Sequence, residues 1–194
     1  LWQDARWQRH QRVLILEARS LLWALDPLHD TPEGGVVLQP ANTEDHRRLE
    51  AQLQALDPLQ RPRLIAASIP DLAAALEVGE RFEWIAARHP WRQLNARQLK
   101  QQLHSLTALA SPGAELRLLF SQPLLGPAGA LLSTESSSDP ALTAVLRSAA
   151  ALEANWLAAS PDPETLPALL EPLGWTCAVE AWQEALELPL SPDL

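Results

Sequence analysis

The chain has 194 residues, a mass of 21.4 kDa and a formal net charge of -9, a size that suits one globular domain. Hydrophobic residues make up 47% and charged residues 20%, which is too apolar for a disordered chain, and no uncharged apolar stretch is long enough to cross a membrane. A single cysteine, Cys177, excludes an internal disulfide. With no signal-peptide pattern either, we expect a cytoplasmic protein.

Two further properties of the composition concern the origin of the chain and its partners. The sequence contains no methionine, so we expect it to be a piece of a longer polypeptide. Residues 118–194 hold ten acidic side chains against one basic side chain, whereas residues 1–117 are balanced. Because phosphate contacts need clustered Lys or Arg, the acidic part is not expected to bind nucleic acid.

The first part of the chain alternates short apolar runs with helical patterns. Residues 1–11 are predicted to form a short lead-in helix. Five compact apolar runs are typical of strands buried on both faces; they cover residues 13–16, 36–38, 63–67, 82–86 and 115–120. Between them, leucines at helical spacing predict helices, and Thr43 and Asn95 are the predicted N-cap residues of two of these.

Five strands separated by helices predict an α/β fold with a mostly parallel sheet and helices on both faces. The later part of the chain differs, with a long helix predicted over residues 141–157 and a shorter one over residues 163–170. Two apolar runs, residues 175–181 and 185–190, lie only a few residues apart and are predicted to pair as an antiparallel hairpin. We expect residues 1–194 to form a single domain.

This order of elements resembles the class I S-adenosylmethionine (SAM)-dependent methyltransferases, whose Rossmann-like sheet is mostly parallel and closes with a hairpin. Three segments carry a narrower resemblance; their sequences are RVLILEA at 12–18, PEGGV at 32–36 and SPGAELRL at 111–118. They resemble the C-terminal domain fused to an AAA+ ATPase, the replication-associated recombination protein A, in cyanobacteria. This resemblance implies a domain that docks to the ATPase portion of the same polypeptide or to another protein.

The resemblance also implies where SAM would bind. In this fold the first strand ends in an acidic residue followed by glycines, because the backbone must turn tightly against the cofactor. The second strand ends in an acidic residue that binds the ribose. Glu17 is the candidate for the first acid. It is followed by an alanine, an arginine, a serine and two leucines, with no glycine before Gly34. The second strand runs into Gln39, with no carboxylate before Glu44.

Two interpretations of this departure stay open. In the first, the chain is a degenerate methyltransferase-like interaction or regulatory domain that binds no cofactor. Glu17 is then a strand-end acid that caps the next helix or pairs with Arg19. In the alternative, the chain is an active methyltransferase with an atypical site, in which Glu17 binds SAM.

The segment Arg88-His89-Pro90-Trp91 follows the fourth predicted strand, where methyltransferases that act on amino groups of bases often carry their substrate motif. His89 is a candidate general base near pH 7 and Trp91 is a candidate stacking platform. Alternatively, the segment is a turn stiffened by Pro90, with Trp91 packed at the edge of the sheet.

No metal site is expected, because the five histidines lie far apart and none are spaced i, i+4. A second alternative function is nucleic-acid binding at the N-terminus, where basic residues are interleaved with Trp2 and Trp7. The basic residues are Arg6, Arg9, His10, Arg12 and Arg19.

Overall fold

The protein is represented by a computed structural model, which describes Trp2 and residues 4–92, 94–120, 127–134, 139–158 and 161–181. The chain divides into two compact units, Leu1–Pro161 and Asp162–Leu194. The expectation of a single domain over residues 1–194 stays a prediction.

A five-stranded parallel sheet forms the centre of the first unit. Its strands are β1 (Val13–Ala18), β2 (Val36–Pro40), β3 (Arg63–Leu64), β4 (Phe82–Arg88) and β5 (Ala110–Leu119). Their order is β3-β2-β1-β4-β5, and every neighbouring pair is parallel. The five predicted strands and the parallel α/β sheet are confirmed, although β3 is shorter than the predicted run.

Helices connect successive strands of the sheet. They are α1 (Leu25–Asp30), α2 (Thr43–Leu53), α3 (Leu72–Ala75) and α4 (Ala96–Leu109). Crossovers between parallel strands are right-handed, and the chain reverses its direction across the sheet after β3. The first two helices therefore lie on one face of the sheet and the next two on the other.

Side-chain caps determine where the two longest crossover helices begin. Asn42 caps α2, because its Oδ1 accepts the backbone N–H of Asp45 at 2.9 Å. The cap predicted at Thr43 is therefore wrong by one residue, since asparagine caps at least as well as threonine. Asn95 caps α4 as predicted and forms a reciprocal capping box with Gln98, with hydrogen bonds of 2.9 and 3.0 Å.

Apolar side chains and a group of tryptophans bury the face of the sheet that carries α1 and α2. The buried members of this cluster are Val13, Ile15, Ala18, Ala24, Val36, Leu38, Leu49 and Trp84. Trp7 packs directly on Trp84, with ring centroids 4.6 Å apart, and Trp2 meets the same ring edge-on at 6.5 Å.

The lead-in helix predicted over residues 1–11 is wrong in its described part, which forms turns. Ala5 donates its backbone N–H to Trp2, three residues earlier, at 2.9 Å. The carbonyl of Arg9 accepts the N–H of Gly34 at 3.1 Å, so the segment is bonded to the turn that precedes β2. A helix would use these groups within itself, and it would also withdraw the two indoles from the sheet.

Two packed helices, α5 (Pro127–Thr134) and α6 (Pro140–Ala158), follow the sheet in the first unit. Glu153 of α6 accepts the backbone N–H groups of Ala128 and Gly129 at 3.0 and 3.3 Å, in the first turn of α5 where a negative charge is favourable. The long helix predicted over residues 141–157 corresponds to α6, whereas α5 was not predicted. In the described ranges, no helix combines the length and the hydrophobicity that crossing a bilayer requires.

The described part of the second unit consists of short helical turns. They are Pro163–Thr165, α7 (Pro167–Leu170) and Glu171–Leu173. Gly174 ends them in the left-handed region, at φ +94°, where glycine carries no steric penalty.

The predicted C-terminal hairpin is not confirmed. Residues 175–181 form no strand, and the backbone N–H of Trp175 donates to the carbonyl of Leu170, at the end of the preceding helical turns, at 3.4 Å. The other predicted strand, residues 185–190, lies outside the described residues.

Candidate functional site

The candidate site lies at the carboxyl ends of β1 and β4. From β1 the chain runs first toward β2 and β3, then returns to place β4 on the other side of β1. Such a reversal leaves a crevice outside the carboxyl ends of the strands, where open α/β sheets bind their ligands. The three residues singled out from the sequence, Glu17, His89 and Trp91, belong to these two strand ends.

Two hydrogen bonds hold Glu17 at the end of β1. Its backbone N–H donates to Oε1 of Gln39 at 2.9 Å, and its carboxylate Oε1 accepts the backbone N–H of Trp91 at 3.0 Å. Its φ of +48° lies in the left-handed region, which is uncommon for a residue other than glycine. The carboxylate is therefore bonded to the turn after β4. The first interpretation had it cap the helix after β1 or pair with Arg19; it makes no cap there, and Arg19 does act on it electrostatically.

Burial raises the pKa of Glu17 above the ordinary value of 4.5, because removal from water disfavours the charged carboxylate. The hydrogen bond from Trp91 and the positive charges of Arg19 and Arg92 lower the pKa, but they offset the effect of burial only in part.

Glu17→Gln is expected to change how stability depends on pH. A raised pKa means that the folded chain holds the proton more tightly than the unfolded chain, so the contribution of Glu17 to stability is lost as pH rises from about 4.5 through the raised pKa. Glutamine keeps an acceptor for Trp91 and has no proton to lose. The Tm of the variant minus that of the wild type should therefore increase between about pH 4 and about pH 7. A difference that is independent of pH, or that decreases, would contradict this account.

Gln39 stands near the end of β2, where the resemblance implies an acid that binds the ribose. The residue is 5% exposed, and its amide nitrogen donates to the carbonyls of Pro40 and Ala67 at 2.6 and 3.0 Å. Its oxygen accepts the N–H of Glu17. Both ends of the amide are thus bound to main chain, and Gln39 ties β1 and β2 to the segment after β3. The sequence shows that the carboxylate is missing here, but it carries no signal for this bridging role.

The turn after β4 is buried and strained. His89 and Trp91 have φ values of +49° and +64°, in the left-handed region. Trp91 is 1% exposed, so its ring faces are covered and cannot stack on a base, which fits the packed alternative. Its Nε1 is buried and has no hydrogen-bond partner among the described residues. The backbone N–H of His89 donates to the carbonyl of Leu119 at 2.8 Å and fastens the turn to β5.

The pKa of His89 is lowered below 6.5 by burial and by the positive charges of Arg88, Arg92 and Arg19. The imidazole is therefore neutral near pH 7, which is the protonation state that a general base requires. Among the residues that the structure describes, no group of three or more His, Cys, Asp or Glu could hold a metal ion.

The N-terminal residues considered for nucleic-acid binding make contacts within the chain. Trp2 and Trp7 pack on Trp84, and the indole N–H of Trp2 donates to the carbonyl of Trp23 at 2.8 Å. Two of the basic residues form salt bridges; these are Arg9 with Glu33 at 2.8 Å and Arg12 with Glu80 at 3.9 Å.

Comparison with known proteins finds similarity at the level of structure. No protein-family model matches the sequence, and no curated protein matches it. The solved structure of mitomycin 7-O-methyltransferase matches 85% of this chain with a TM-score of 0.55 and 10% identity. A protein from Nostoc punctiforme described as an O-methyltransferase matches 88% of the chain with a TM-score of 0.52 and 13% identity. This chain spans 43% and 47% of the length of those two proteins, respectively.

A third solved structure is the O-methyltransferase from a trans-AT PKS multienzyme of Brevibacillus brevis, in complex with S-adenosyl-L-homocysteine. It matches 61% of this chain and 38% of its own length, with a TM-score of 0.50 and 7% identity. Similarity at such low identity concerns the fold. The parallel sheet, its strand order and its helices therefore make this a Rossmann-like chain with the fold of class I SAM-dependent methyltransferases.

Proposed function

We propose that this chain is a methyltransferase-like domain that does not bind SAM and serves as an interaction or regulatory module of a longer cytoplasmic polypeptide. One observation carries the proposal: the groups at the two strand ends that would hold SAM are bonded to the chain itself. The Glu17 carboxylate accepts the N–H of Trp91, and the Gln39 amide is bound to three main-chain groups.

The segment after β1 supports the same conclusion. Where the fold would place glycines, this chain has Arg19, Ser20 and Leu21. Leu21 packs against the buried cluster under the sheet, and its N–H donates to Oε1 of Gln52 in α2 at 3.2 Å. A glycine turn leaves the backbone open to a close approach by the cofactor. Here each of these positions carries a side chain.

The sequence resemblance supports the choice of partner. It implies that the domain docks to the ATPase portion of an AAA+ ATPase that acts in replication and recombination. Alternatively, the domain recruits another protein. Leu22 and Leu25, next to the candidate site, are 66% and 48% exposed. These two side chains are apolar surface that a docked partner would cover.

The alternative is an active methyltransferase with an atypical cofactor site. The fold shared with solved O-methyltransferases favours it. Glu17 would then bind SAM, and the neutral imidazole of His89 would serve as the base.

Thermal denaturation with and without SAM and S-adenosylhomocysteine separates the two functions. A ligand at about 100 times its Kd adds roughly 2.7 kcal/mol of stability, which for a chain of this size is a rise in Tm of about 5–10 °C. We expect no rise at about 1 mM ligand. A rise that is lost in Glu17→Ala but kept in Glu50→Ala, a control on the exposed face of α2, would support the enzyme and overturn the proposal.

A further inference from the structure

We propose that the carboxyl ends of β1 and β4 bind the phosphate groups of a small anionic ligand, such as a nucleoside diphosphate, through Arg19, Arg88 and Arg92. The inference goes beyond the loss of SAM binding, because it assigns to the same edge of the sheet a ligand whose charge differs from that of the sulfonium cofactor.

The three arginines come from two separate chain segments and meet at one edge. Arg19 follows β1, Arg88 is the last residue of β4, and Arg92 follows the strained turn. The guanidinium of Arg88 lies 6.0 Å from the ring centre of Trp23, in the turn after β1, so it reaches from one strand end toward the other. Arg19 and Arg92 both act on the buried carboxylate of Glu17.

Positive charge exceeds negative charge in this cluster. The hydrogen bond of 3.0 Å between the Glu17 carboxylate and the N–H of Trp91 brings together the segments that carry Arg19 and Arg92. In keeping with this, the charges of all three arginines lower the pKa of His89. Neither Arg19 nor Arg88 forms a salt bridge with a carboxylate in the described ranges. Such a cluster has an unfavourable self-energy that a bound anion relieves.

The turn between Arg88 and Arg92 contains a buried hydrogen-bond donor that lacks an acceptor among the described residues. The indole N–H of Trp91, between Arg88 and Arg92 in sequence, is buried and has no acceptor among the described residues. Buried donors are nearly always hydrogen-bonded, so this indole marks a place where the described groups of the chain leave the turn unsatisfied. Glu17, His89 and Trp91 all hold left-handed backbone conformations at this edge, and strain of this kind clusters at binding sites.

Arginine and phosphate match each other in geometry and charge. The planar guanidinium offers paired N–H donors that bind two phosphate oxygens at once, and it stays charged at every physiological pH. Three such groups suit a ligand with two or more negative charges. The reversal of strand order, moreover, is where open α/β sheets bind nucleotides.

Isothermal titration of the whole chain with inorganic pyrophosphate at low ionic strength tests the proposal. We expect saturable binding at one site, weakened about tenfold in Arg19→Gln and in Arg88→Gln, because each loses a charge-assisted hydrogen bond. Both side chains are exposed, so the variants should fold, and circular dichroism verifies this. Arg6→Gln is the matched control: it removes the same charge from an exposed arginine at the opposite end of β1 and should bind like the wild type.

Three results would overturn the proposal: no binding of pyrophosphate, equal weakening in Arg6→Gln, or binding of a single-stranded oligonucleotide without binding of pyrophosphate. Adenosine diphosphate is titrated in parallel. Tighter binding than that of pyrophosphate would support a nucleotide as the ligand, and equal or weaker binding would support a phosphate compound without a nucleoside. S-adenosylhomocysteine is titrated separately. Its binding would contradict the proposed function and leave the phosphate site standing, so the two failures are distinguishable.

Discussion

Trp84→Ala is expected to lower the free energy of unfolding by about 3–5 kcal/mol, the usual cost of removing a large buried aromatic side chain. Trp84 is 4% exposed and lies in β4, between β1 and β5 in the sheet. Its indole N–H donates to Oε1 of Gln11 at 2.8 Å, Trp7 packs on its ring, and the guanidinium of Arg117 lies 4.9 Å from the ring centre. The truncation therefore removes the ring on which Trp2 and Trp7 pack and the hydrogen bond to Gln11, which are among the contacts of the N-terminal segment with the sheet.

Urea denaturation followed by far-ultraviolet circular dichroism measures this loss without relying on tryptophan fluorescence. Trp84→Phe keeps most of the packing and loses the hydrogen bond to Gln11, so we expect it to cost about 1–2 kcal/mol. Leu59→Ala, at a residue that is 96% exposed, should change stability by less than about 0.5 kcal/mol. A loss below about 1 kcal/mol for Trp84→Ala would contradict the described packing.

Gly34→Ala is expected to cost about 3 kcal/mol, at the upper end of the range for overpacked sites. A methyl group at this position would lie 1.8 Å from the carbonyl oxygen of Gln11 and 2.5 Å from that of His10. Both are backbone atoms, and they cannot rotate away as a side chain would. The N–H of Gly34 also donates to the carbonyls of Arg9 and Thr31 at 3.1 and 3.3 Å, which holds the two segments together.

Gly35→Ala is the matched control for this effect. Gly35 has a φ of +95°, and nothing lies within 4 Å of an added methyl group. Its substitution should therefore cost only the conformational strain of a left-handed residue, about 1–2 kcal/mol. The two Tm values should differ by roughly 2–8 °C, with Gly34→Ala the lower. Equal losses, or a larger loss at Gly35, would show that the N-terminal segment does not press against this turn.

Local patterns predicted the sheet well, because strands buried on both faces leave a continuous apolar run in the sequence. Val13-Leu14-Ile15-Leu16 and the run that begins at Phe82 are such cases, and both are strands. The cap at Asn95 was equally readable, since it depends on residues only three positions apart. The predicted helix over residues 1–11 failed because Trp2 and Trp7 pack on a strand that lies far along the chain.

The candidate site was predictable residue by residue but not as an arrangement. Glu17 and Trp91 were each singled out, yet they are 74 positions apart, and only the pairing of β1 with β4 brings the carboxylate to the backbone N–H. Gln39 gave no signal for its bridging role, because its partners are main-chain groups. Arg92 lies one residue beyond the predicted segment Arg88–Trp91, and the hydrogen bond between Glu17 and Trp91 brings its segment to that of Arg19.

At the carboxyl ends of β1 and β2, the side chains of Glu17 and Gln39 are hydrogen-bonded to the chain's own backbone, so we expect that this site does not bind SAM. An NMR titration of the isotope-labelled chain with S-adenosylhomocysteine tests it most directly, since the backbone amides of Glu17 and Trp91 are the two N–H groups of that bonding. We predict that neither amide resonance shifts up to about 1 mM ligand, a concentration that would reveal a Kd in the same range. Saturable shifts of these two resonances, with the rest of the spectrum unchanged, would contradict the account and show a working cofactor site.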